Sequence, residues 1–401
     1  MKHLFLCCFV IIAITSTAQN KLQEGMWHAD LKINDTTLLP FVFEVFDGHL
    51  EIINADERIR VDEIIYSGDS VFIQMPVYET AIHCKLNPGI LEGNYINPAR
   101  TTNSIIPFKA IHGMGWRFSD RPEKTTHNIS GRWHVSWENE EGEDKMAIGI
   151  FKQEGNHLTG TFLTPTGDYR FLEGEVGGSH VHLSSFDASH AYLFNAQIQK
   201  DGTMEGNYFS GSHWHDRWKA WRSDDAELID PESMTYLKPG YERIHFSLPD
   251  ENGDTISLSD SEYRNKVVII QLMGTWCSNC LDETKFLVEL SKKYQNAPLK
   301  IIALDFEKIT DPFRIKNNIR RIKDRLQVNY PIVYAGSSKK EEAVKSLPML
   351  NRIAAFPTTI VVDKKGTVRK IYTGFSGPAT GQAYLDFTES FSAFLENLLR
   401  E

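Results

Sequence analysis

Apolar and polar residues alternate along the first half of the chain, and longer apolar runs replace this alternation in the second half. Residues 41–46 and 49–53 alternate on either side of Asp47-Gly48, a pattern typical of two antiparallel strands joined by a tight turn. Residues 267–273 instead form a continuous apolar run, which predicts a buried parallel strand. The sequence therefore predicts a multidomain protein in which antiparallel β structure precedes an α/β fold.

The alternating part of the chain contains one pattern twice. Three pairs of segments correspond in the same order: residues 25–28 with 131–134, 90–95 with 203–208, and 108–110 with 218–220. Two repeated antiparallel β units, at residues 20–115 and 128–222, are therefore predicted. Short strands with regular turns favour small meander barrels or sandwiches, and the pattern leaves open whether the units form two barrels or one fused sandwich.

A polar and charged stretch at residues 223–239 predicts a linker between domains. Beyond it, residues 240–401 alternate between strand and helix patterns. The expected elements are a hairpin over 244–258, strands at 267–273, 300–306 and 330–334, helices at 284–294, 311–326 and 339–347, a hairpin over 359–372, and a last helix with an apolar stripe that includes Phe387 and Phe391. This order predicts an α/β sandwich with its own core.

The composition and charge of the chain narrow its class. Its 401 residues are too many for one ordinary core, so two or three domains are expected. Charged residues make up 24% and hydrophobic residues 41%, as in ordinary globular proteins. The net charge of -10 argues against nucleic acid as a partner.

The N-terminus is interpreted as a signal peptide at residues 1–18. A short basic start is followed by an apolar segment at residues 4–14, which is too short to span a bilayer, and then by Ser16-Thr17-Ala18 as small residues for cleavage. A lipoprotein signal with Cys8 as the lipidated residue is the alternative, although Cys7 stands where a small residue is expected. The mature protein is therefore expected to be exported, in the periplasm.

A Cys-x-x-Cys pair stands where the strand at 267–273 meets the helix that follows. Cys277 is expected at the helix N-terminus, where the dipole and free N–H groups favour a thiolate, and Cys280 can close a disulfide with it. Half a zinc site and a structural disulfide are the alternatives, but no second ligand pair follows at zinc spacing. Redox chemistry is therefore favoured. Cys84, in an alternating strand pattern, is interpreted as a buried, inert thiol.

Residues 240–401 resemble the TlpA/ResA-like branch of the thioredoxin-fold thiol-disulfide oxidoreductases. The matching segments are residues 267–273, 274–280 (Gly-Thr-Trp-Cys-Ser-Asn-Cys), Glu283, 356–359 (Phe-Pro-Thr-Thr) and 362–366 (Val-Asp-Lys-Lys-Gly). The resemblance implies a thioredoxin-like fold for these residues and carries no information about the two β units.

The resemblance also implies roles for individual residues. Cys277 is expected to attack the substrate disulfide, and Cys280 to resolve the mixed disulfide that results. The loop at 356–358 matches the family's cis-proline loop, so Phe356, Pro357 and Thr358 are expected to bind substrate, together with Trp276.

Glu283 matches a carboxylate that ResA-like proteins keep beside the redox pair, and it is expected to be catalytic. A solvent-facing helix glutamate is the alternative. Two positions depart from the family pattern, because thioredoxin has a buried aspartate where this chain has Gln271, and many relatives have proline where it has Asn279. The residues between the cysteines influence the redox potential, so the potential is not predicted.

The function expected from these features is an exported thiol-disulfide oxidoreductase that reduces disulfides in exported proteins. The family suggests that electrons arrive from a membrane thiol transporter of the DsbD kind. No cofactor and no metal are predicted. The alternatives are a disulfide oxidase or isomerase, and a redox-sensing binding protein whose β-repeats bind a partner. A peroxidase is disfavoured, because residues 273–276 lack the proline-threonine approach of peroxiredoxins.

Two further patterns each have two interpretations. The helix at 311–326 is rich in arginine and lysine, which favours a solvated face over a docking patch for a partner. His213 and His215 are expected on one face of a strand, where an exposed aromatic face is favoured over a metal site because no third ligand is evident.

Overall fold

A computed structural model describes residues 21–138 and 146–401 of the chain. The predicted signal peptide at residues 1–18 lies outside these described residues. Within them the chain forms two antiparallel β units and then an α/β domain, which agrees with the multidomain fold class expected from the sequence. None of the helices in the described ranges combines the length and the apolar composition needed to cross a membrane.

The first β unit is a curled antiparallel sheet. Its strands are β1 (Gly25–Lys32), β2 (Leu38–Phe46), β3 (His49–Asn54), β4 (Glu57–Val61), β5 (Ile64–Ser67), β6 (Ser70–Gln74), β7 (Ala81–Asn87), β8 (Ile90–Ile96) and β9 (Ile105–His112). They lie in the order β4-β3-β2-β1-β9-β8-β7-β6-β5. The two edge strands, β4 and β5, are consecutive in the chain and only Asp62-Glu63 separates them, so the sheet must curl back on itself.

The second β unit is a closed barrel. Its strands are β10 (Gly131–Trp137), β11 (Ala147–Glu154), β12 (His157–Thr164), β13 (Gly167–Asp168), β14 (Leu172–Gly177), β15 (His180–Phe186), β16 (Ala191–Ile198), β17 (Met204–Ser210) and β18 (Trp214–Arg222). β10 pairs with both β11 and β18, and β11 pairs with β12, so that all of these strands except the short β13 form one ring. Closure leaves the ring without unpaired edges.

Equivalent residues of the two β units occupy equivalent places, which supports the predicted repeat. β1 pairs with β9 as β10 pairs with β18, and Ala110 and Ala220 lie at matching positions of these ladders. The indole N–H groups of Trp27 and Trp133 each donate to the carbonyl oxygen four residues earlier, at 2.9 and 2.8 Å. The units therefore form two separate sheets, which answers the question that the sequence left open.

The α/β domain is built on a mixed five-stranded sheet. Its elements are the hairpin β19 (Ser247–Pro249) and β20 (Thr255–Ser257), β21 (Val267–Met273), α1 (Ser278–Lys293), β22 (Leu299–Glu307), α2 (Pro312–Leu326), β23 (Ile332–Ser337), α3 (Lys340–Ser346), β24 (Thr358–Val362), β25 (Val368–Thr373) and α4 (Gln382–Arg400). The strand order is β23-β22-β21-β24-β25, with β21, β22 and β23 parallel. The first strand of the leading hairpin begins at Ser247, later than the predicted residue 244.

The central strand β21 is buried on both faces, because helices cover each side of the sheet. Val267 and Ile269 pack with apolar residues of α1, α2 and α4, whereas Val268 and Ile270 pack with the face that carries α3. An apolar residue is therefore required at nearly every position, and this is why the run at 267–273 stood out in the sequence.

The basic helix α2 is partly covered by the first β unit. Arg314 donates two hydrogen bonds of 2.7 Å to the carboxylate of Glu79, and Arg325 lies 3.6 Å from Asp62. The expectation of a solvated helix face is therefore wrong for Arg314, which is partly buried, whereas Arg325 remains exposed. They contact another part of the same chain.

Candidate functional site

The redox pair lies at the first turn of α1. Cys277 is the N-cap residue of this helix, and its sulfur accepts a hydrogen bond of 3.2 Å from the N–H of Cys280. The two cysteines form a disulfide. Cys277 retains 6% of its exposure and Cys280 retains none, so only one of the two sulfurs borders solvent. This inequality suits an attacking cysteine in front and a resolving cysteine behind it.

The loop before β24 lies directly against the pair. The Phe356-Pro357 peptide bond is cis, as the family resemblance implied. The carbonyl oxygen of Phe356 lies 3.5 Å from the sulfur of Cys277. The Phe356 ring meets the Trp276 ring edge-on at a centroid distance of 6.0 Å. Thr358 is fully buried and its hydroxyl donates to the Ala355 carbonyl at 2.8 Å. The Thr358 side chain therefore holds the loop, while Trp276 and Phe356 remain partly exposed.

Glu283 lies beneath the pair, and the solvent-facing alternative is wrong because the residue retains only 2% of its exposure. One carboxylate oxygen accepts a hydrogen bond of 2.7 Å from the hydroxyl of Thr359. Its other oxygen has no hydrogen-bond partner within residues 21–138 and 146–401. Burial raises the pKa of Glu283 to about 7, against the hydrogen bond from Thr359, which favours the charged form.

Gln271 connects this carboxylate region to the cysteine helix. Its side-chain N–H donates to the carbonyl oxygen of Cys280 at 3.2 Å, and its oxygen accepts from the hydroxyl of Thr284 at 3.2 Å. Thr359 is its neighbour on the adjacent strand. The Gln271 side chain is a neutral amide and does not titrate. Glu283, through Thr359, is therefore the titrating group beside these hydrogen bonds.

A second set of ionisable groups lies beside Trp276, and the sequence analysis did not identify it; Asp305 and Glu307 are buried, whereas Lys308 is exposed. The indole N–H donates to the Phe306 carbonyl at 2.9 Å, and the ammonium of Lys308 lies 3.8 Å from the centre of the ring. Asp305 and Glu307 are buried close to each other, and burial raises the pKa of both carboxyl groups. Charged residues at the end of an otherwise apolar strand were the available signal.

The barrel of the second β unit forms one wall of a cavity at the redox pair. This cavity has a volume of about 760 Å³ and is bordered by Cys277, Trp276 and Phe356 from the α/β domain. The barrel contributes four aromatic residues, here called the aromatic wall: Trp137, Tyr169, Tyr192 and Tyr208. The sequence analysis did not place the barrel at the cysteines.

An ionic cluster fastens the barrel to the cysteine helix. Its four members, here called the Arg170 cluster, are Arg170 and Asp187 of the barrel, Glu57 of the first β unit, and Asp282 of α1. Arg170 donates to Glu57 and Asp282, and also to the Ser278 carbonyl at 3.3 Å. Burial disfavours charge on Arg170, but Asp282 and the other carboxylates outweigh it and raise its pKa well above the ordinary value.

Two further contacts hold the barrel at this place. The carboxylate of Asp168 accepts a hydrogen bond of 2.6 Å from the N–H of Gly377 in the α/β domain. Burial, and next the charge of Asp282, raise the pKa of Asp168 to about 6. Gly167 lies so close to the side chain of Asn279 that a Cβ atom there would collide with it. Asn279, one of the two residues between the cysteines, therefore packs directly against the barrel.

The two histidines of the predicted strand face do not act together. His213 lies before β18 and not within it, and its ring lies 2.9 Å from Arg100. His215 lies 2.9 Å from Asn207 instead. Within the described ranges, no group of three or more potential ligands could hold a metal ion.

The comparisons with known proteins concern the C-terminal part of the chain. Residues 239–371 match the AhpC/TSA family. The thiol-disulfide oxidoreductase ResA of Geobacillus thermodenitrificans (strain NG80-2) is 31% identical over 129 residues, which cover 32% of this chain and 66% of that protein. ResA of Bacillus thuringiensis subsp. konkukian (strain 97-27) is 30% identical over 132 residues, which cover 33% of this chain and 68% of that protein. The chain thus spans about two thirds of the length of these relatives.

Among solved structures, a putative thiol:disulfide interchange protein DsbE from Chlorobium tepidum is similar. It is 18% identical, and the match covers 39% of this chain and 99% of that one with a TM-score of 0.30.

Proposed function

Because this chain belongs, through its C-terminal domain, to the family of the ResA thiol-disulfide oxidoreductases, we propose that it is an exported reductase of protein disulfides. The observation that carries the proposal is the unequal burial of the two sulfurs. Cys277 borders a cavity from the first turn of α1, and Cys280 lies fully buried behind it. The predicted signal peptide supports the export, and the periplasm is the proposed location.

The proposed reaction moves two electrons from the cysteine pair to the substrate. The Cys277 thiolate attacks one sulfur of the substrate disulfide, forms a mixed disulfide and releases the other substrate sulfur as a thiolate. The Cys280 thiolate then attacks the Cys277 sulfur, which releases the second substrate thiol and leaves the Cys277–Cys280 disulfide. The helix N-terminus favours the attacking thiolate, since free N–H groups point at its sulfur.

Glu283 is proposed to accept the proton of Cys280. A thiol without solvent contact resists ionisation, so the second attack needs a base close to it. Glu283 lies three residues after Cys280 on the same helix, which makes the two side chains neighbours. Its pKa of about 7 allows it to hold or release a proton near neutral pH.

The substrate backbone is proposed to bind along the loop before β24. Trp276 and Phe356 border the cavity and can contact the residues beside a substrate cysteine. Pro357 and Thr358 act through the loop that they shape, because the Thr358 side chain is buried. An extended segment can pair with this backbone as an added strand does.

The direction of electron flow is the finer part of the proposal. A reductase must be reduced again after each turnover, and a membrane dithiol transporter is the proposed donor. The test is equilibration of the full chain with a glutathione buffer. A reductase ends mainly as the disulfide, because it donates electrons to oxidised glutathione; a pair that ends mainly as the dithiol belongs to an oxidase or isomerase.

Turnover separates an enzyme from a binding protein that only senses redox state. With dithiothreitol in excess, the full chain should catalyse the reduction of a disulfide-bonded peptide over many cycles. A chain that exchanges once and does not accelerate the reaction would exclude the enzymatic proposal.

A further inference from the structure

The reactive Cys277 borders a confined space. Cys277 keeps 6% of its exposure, and it borders the cavity between the barrel and the α/β domain. The volume of about 760 Å³ is in the range of sites for small ligands or a few residues, and it is too small for a folded domain. A narrow segment of chain that carries a disulfide fits this space.

The aromatic wall gives this space a chemical preference. Tyr169 lies 6.0 Å from Trp137 and 5.2 Å from both Tyr192 and Tyr208, measured between ring centroids. Trp137 and Tyr208 are nearly buried, while Tyr169 and Tyr192 are half-buried and border the cavity. Tyr169 meets Tyr192 and Tyr208 edge-to-face, at 74° and 81°, so an entering aromatic ring can add contacts of the same kind.

The barrel end is held rigidly, so the cavity is preformed. Arg170 binds the helix of the cysteines and Asp168 binds Gly377 of the α/β domain. His190 lies on the same rim, and its ring nitrogen is 3.1 Å from Asp187. Ordering entropy therefore opposes binding less than it would at a flexible surface.

We propose that the aromatic wall is a specificity pocket that takes an aromatic side chain adjacent to the cysteine of a disulfide-bonded peptide segment. This inference rests on the proposed function and names the substrate class of the same site. The aromatic residue anchors the segment while Cys277 attacks the neighbouring sulfur, and the electrons and protons move as in the reaction above. The barrel of the second β unit is thereby a part of the substrate site.

Two matched cyclic peptides, each closed by one disulfide, test this inference with the full chain. One has phenylalanine and the other serine beside the first cysteine. The rate constant for reduction by the pre-reduced protein is divided by that for reduction by dithiothreitol, which removes the intrinsic reactivity of each peptide. The expected preference for the phenylalanine peptide is about tenfold or more, since transfer of an aromatic side chain from water into an apolar pocket supplies enough binding free energy for this ratio.

Variants locate the pocket. Tyr169→Ser should lower the preference to about one, and Tyr169→Phe should retain it, because the ring and not the hydroxyl makes the contact. Trp221→Ser is the control, since Trp221 lies 43% exposed on the outside of the same barrel and should change neither rate.

Equal reduction of both peptides by the unaltered protein would overturn the inference while leaving the reductase intact. A preference that survives in a folded Tyr169→Ser variant would also overturn it. If the protein reduced neither peptide, the proposed function itself would fail. The comparison within the unaltered protein decides the question even if the Tyr169→Ser variant does not fold.

Discussion

Arg170, in the barrel of the second β unit, donates a hydrogen bond to the carboxylate of Asp282, on the helix that begins at the redox cysteines. The two side chains retain 5% and 6% of their exposure. A buried charge without a partner costs several kcal/mol, so each side chain depends on the other. The barrel and the redox centre are thus connected through their charges as well as through the cavity that they share.

Replacement of Arg170 by methionine should destabilise the folded chain strongly. Glu57 would remain buried without a countercharge, Asp282 would keep only Lys285 and Asp187 only His190, and this is expected to cost about 3–5 kcal/mol. Urea denaturation of the oxidised full chain measures this free energy of unfolding.

Arg217→Met in the same barrel is the matched control. Arg217 pairs with Glu138 at 3.5 Å, and its side chain is 57% exposed, so its loss should cost less than about 1 kcal/mol. Equal effects of the two substitutions would show that the Arg170 cluster contributes little to stability.

Replacement of Glu283 by glutamine should slow the second step of the reaction. The amide can still accept the hydrogen bond from Thr359, but it cannot take a proton from Cys280. Resolution of the mixed disulfide at pH 7 is expected to slow by on the order of 10- to 100-fold. The thiol pKa values should fall, because the negative charge beside the thiols is lost. Rapid-quench kinetics between pH 5 and pH 9 measure both effects.

Glu289→Gln on the same helix is the control for this prediction. Glu289 is 72% exposed beside Lys292 and should leave the pH profile unchanged. Superimposable profiles for the original protein and the Glu283→Gln variant would remove the catalytic role of Glu283.

Glu283 should also make the stability of the fold depend on pH. Its pKa rises from an ordinary value of 4.5 to about 7, so the folded chain binds the proton more tightly than the unfolded chain. Stability from this group is therefore complete below about pH 4.5 and is lost as the pH rises to about 7, by about 3 kcal/mol in total.

Glu283→Gln should cancel this loss and become the more stable protein above pH 7. Denaturation of both proteins at pH 5 and pH 8 provides the comparison. The difference between the proteins isolates Glu283 from Asp168, which titrates in the same range. A variant with the same fall in stability as the original would contradict the assignment.

Cys84 should remain unreactive in the folded protein. Burial raises its pKa to about 12, so on the order of one molecule in ten thousand carries the thiolate at pH 8. Iodoacetamide should label Cys277 in the reduced, folded chain and leave Cys84 unlabelled. In denaturant, the reagent should label Cys84 as well as Cys277. Rapid labelling of Cys84 without denaturant would show that the first β unit opens readily.

Local sequence signals located the redox pair well. A strand that must be apolar on both faces, followed by Cys277 and Cys280 at the start of a helix, can be recognised without tertiary contacts. The repeat was also recognisable, because the same segments recur in the same order, and Trp27 and Trp133 make equivalent hydrogen bonds in the two β units. The structure agrees with both interpretations at the level of the fold.

Contacts between distant parts of the chain were not predictable in this way. Asp282 resembles any polar helix residue until Arg170, 112 residues earlier, is placed beside it. The burial of Glu283 was equally unpredictable, since it depends on contacts of helix α1 with Thr359 in strand β24. The aromatic wall depends on how the barrel packs against the cysteines, and no periodic pattern records that packing.

Trapping of the mixed disulfide tests the central claim most directly. Pre-reduced Cys280→Ala and Cys277→Ala variants are each mixed with a disulfide-bonded peptide, and intact mass spectrometry counts the covalent adducts. We expect about one peptide per chain on Cys280→Ala, attached at Cys277, and none on Cys277→Ala. An adduct that forms only on Cys277→Ala would reverse the roles of the two cysteines. An adduct on neither variant would contradict disulfide exchange at this pair altogether.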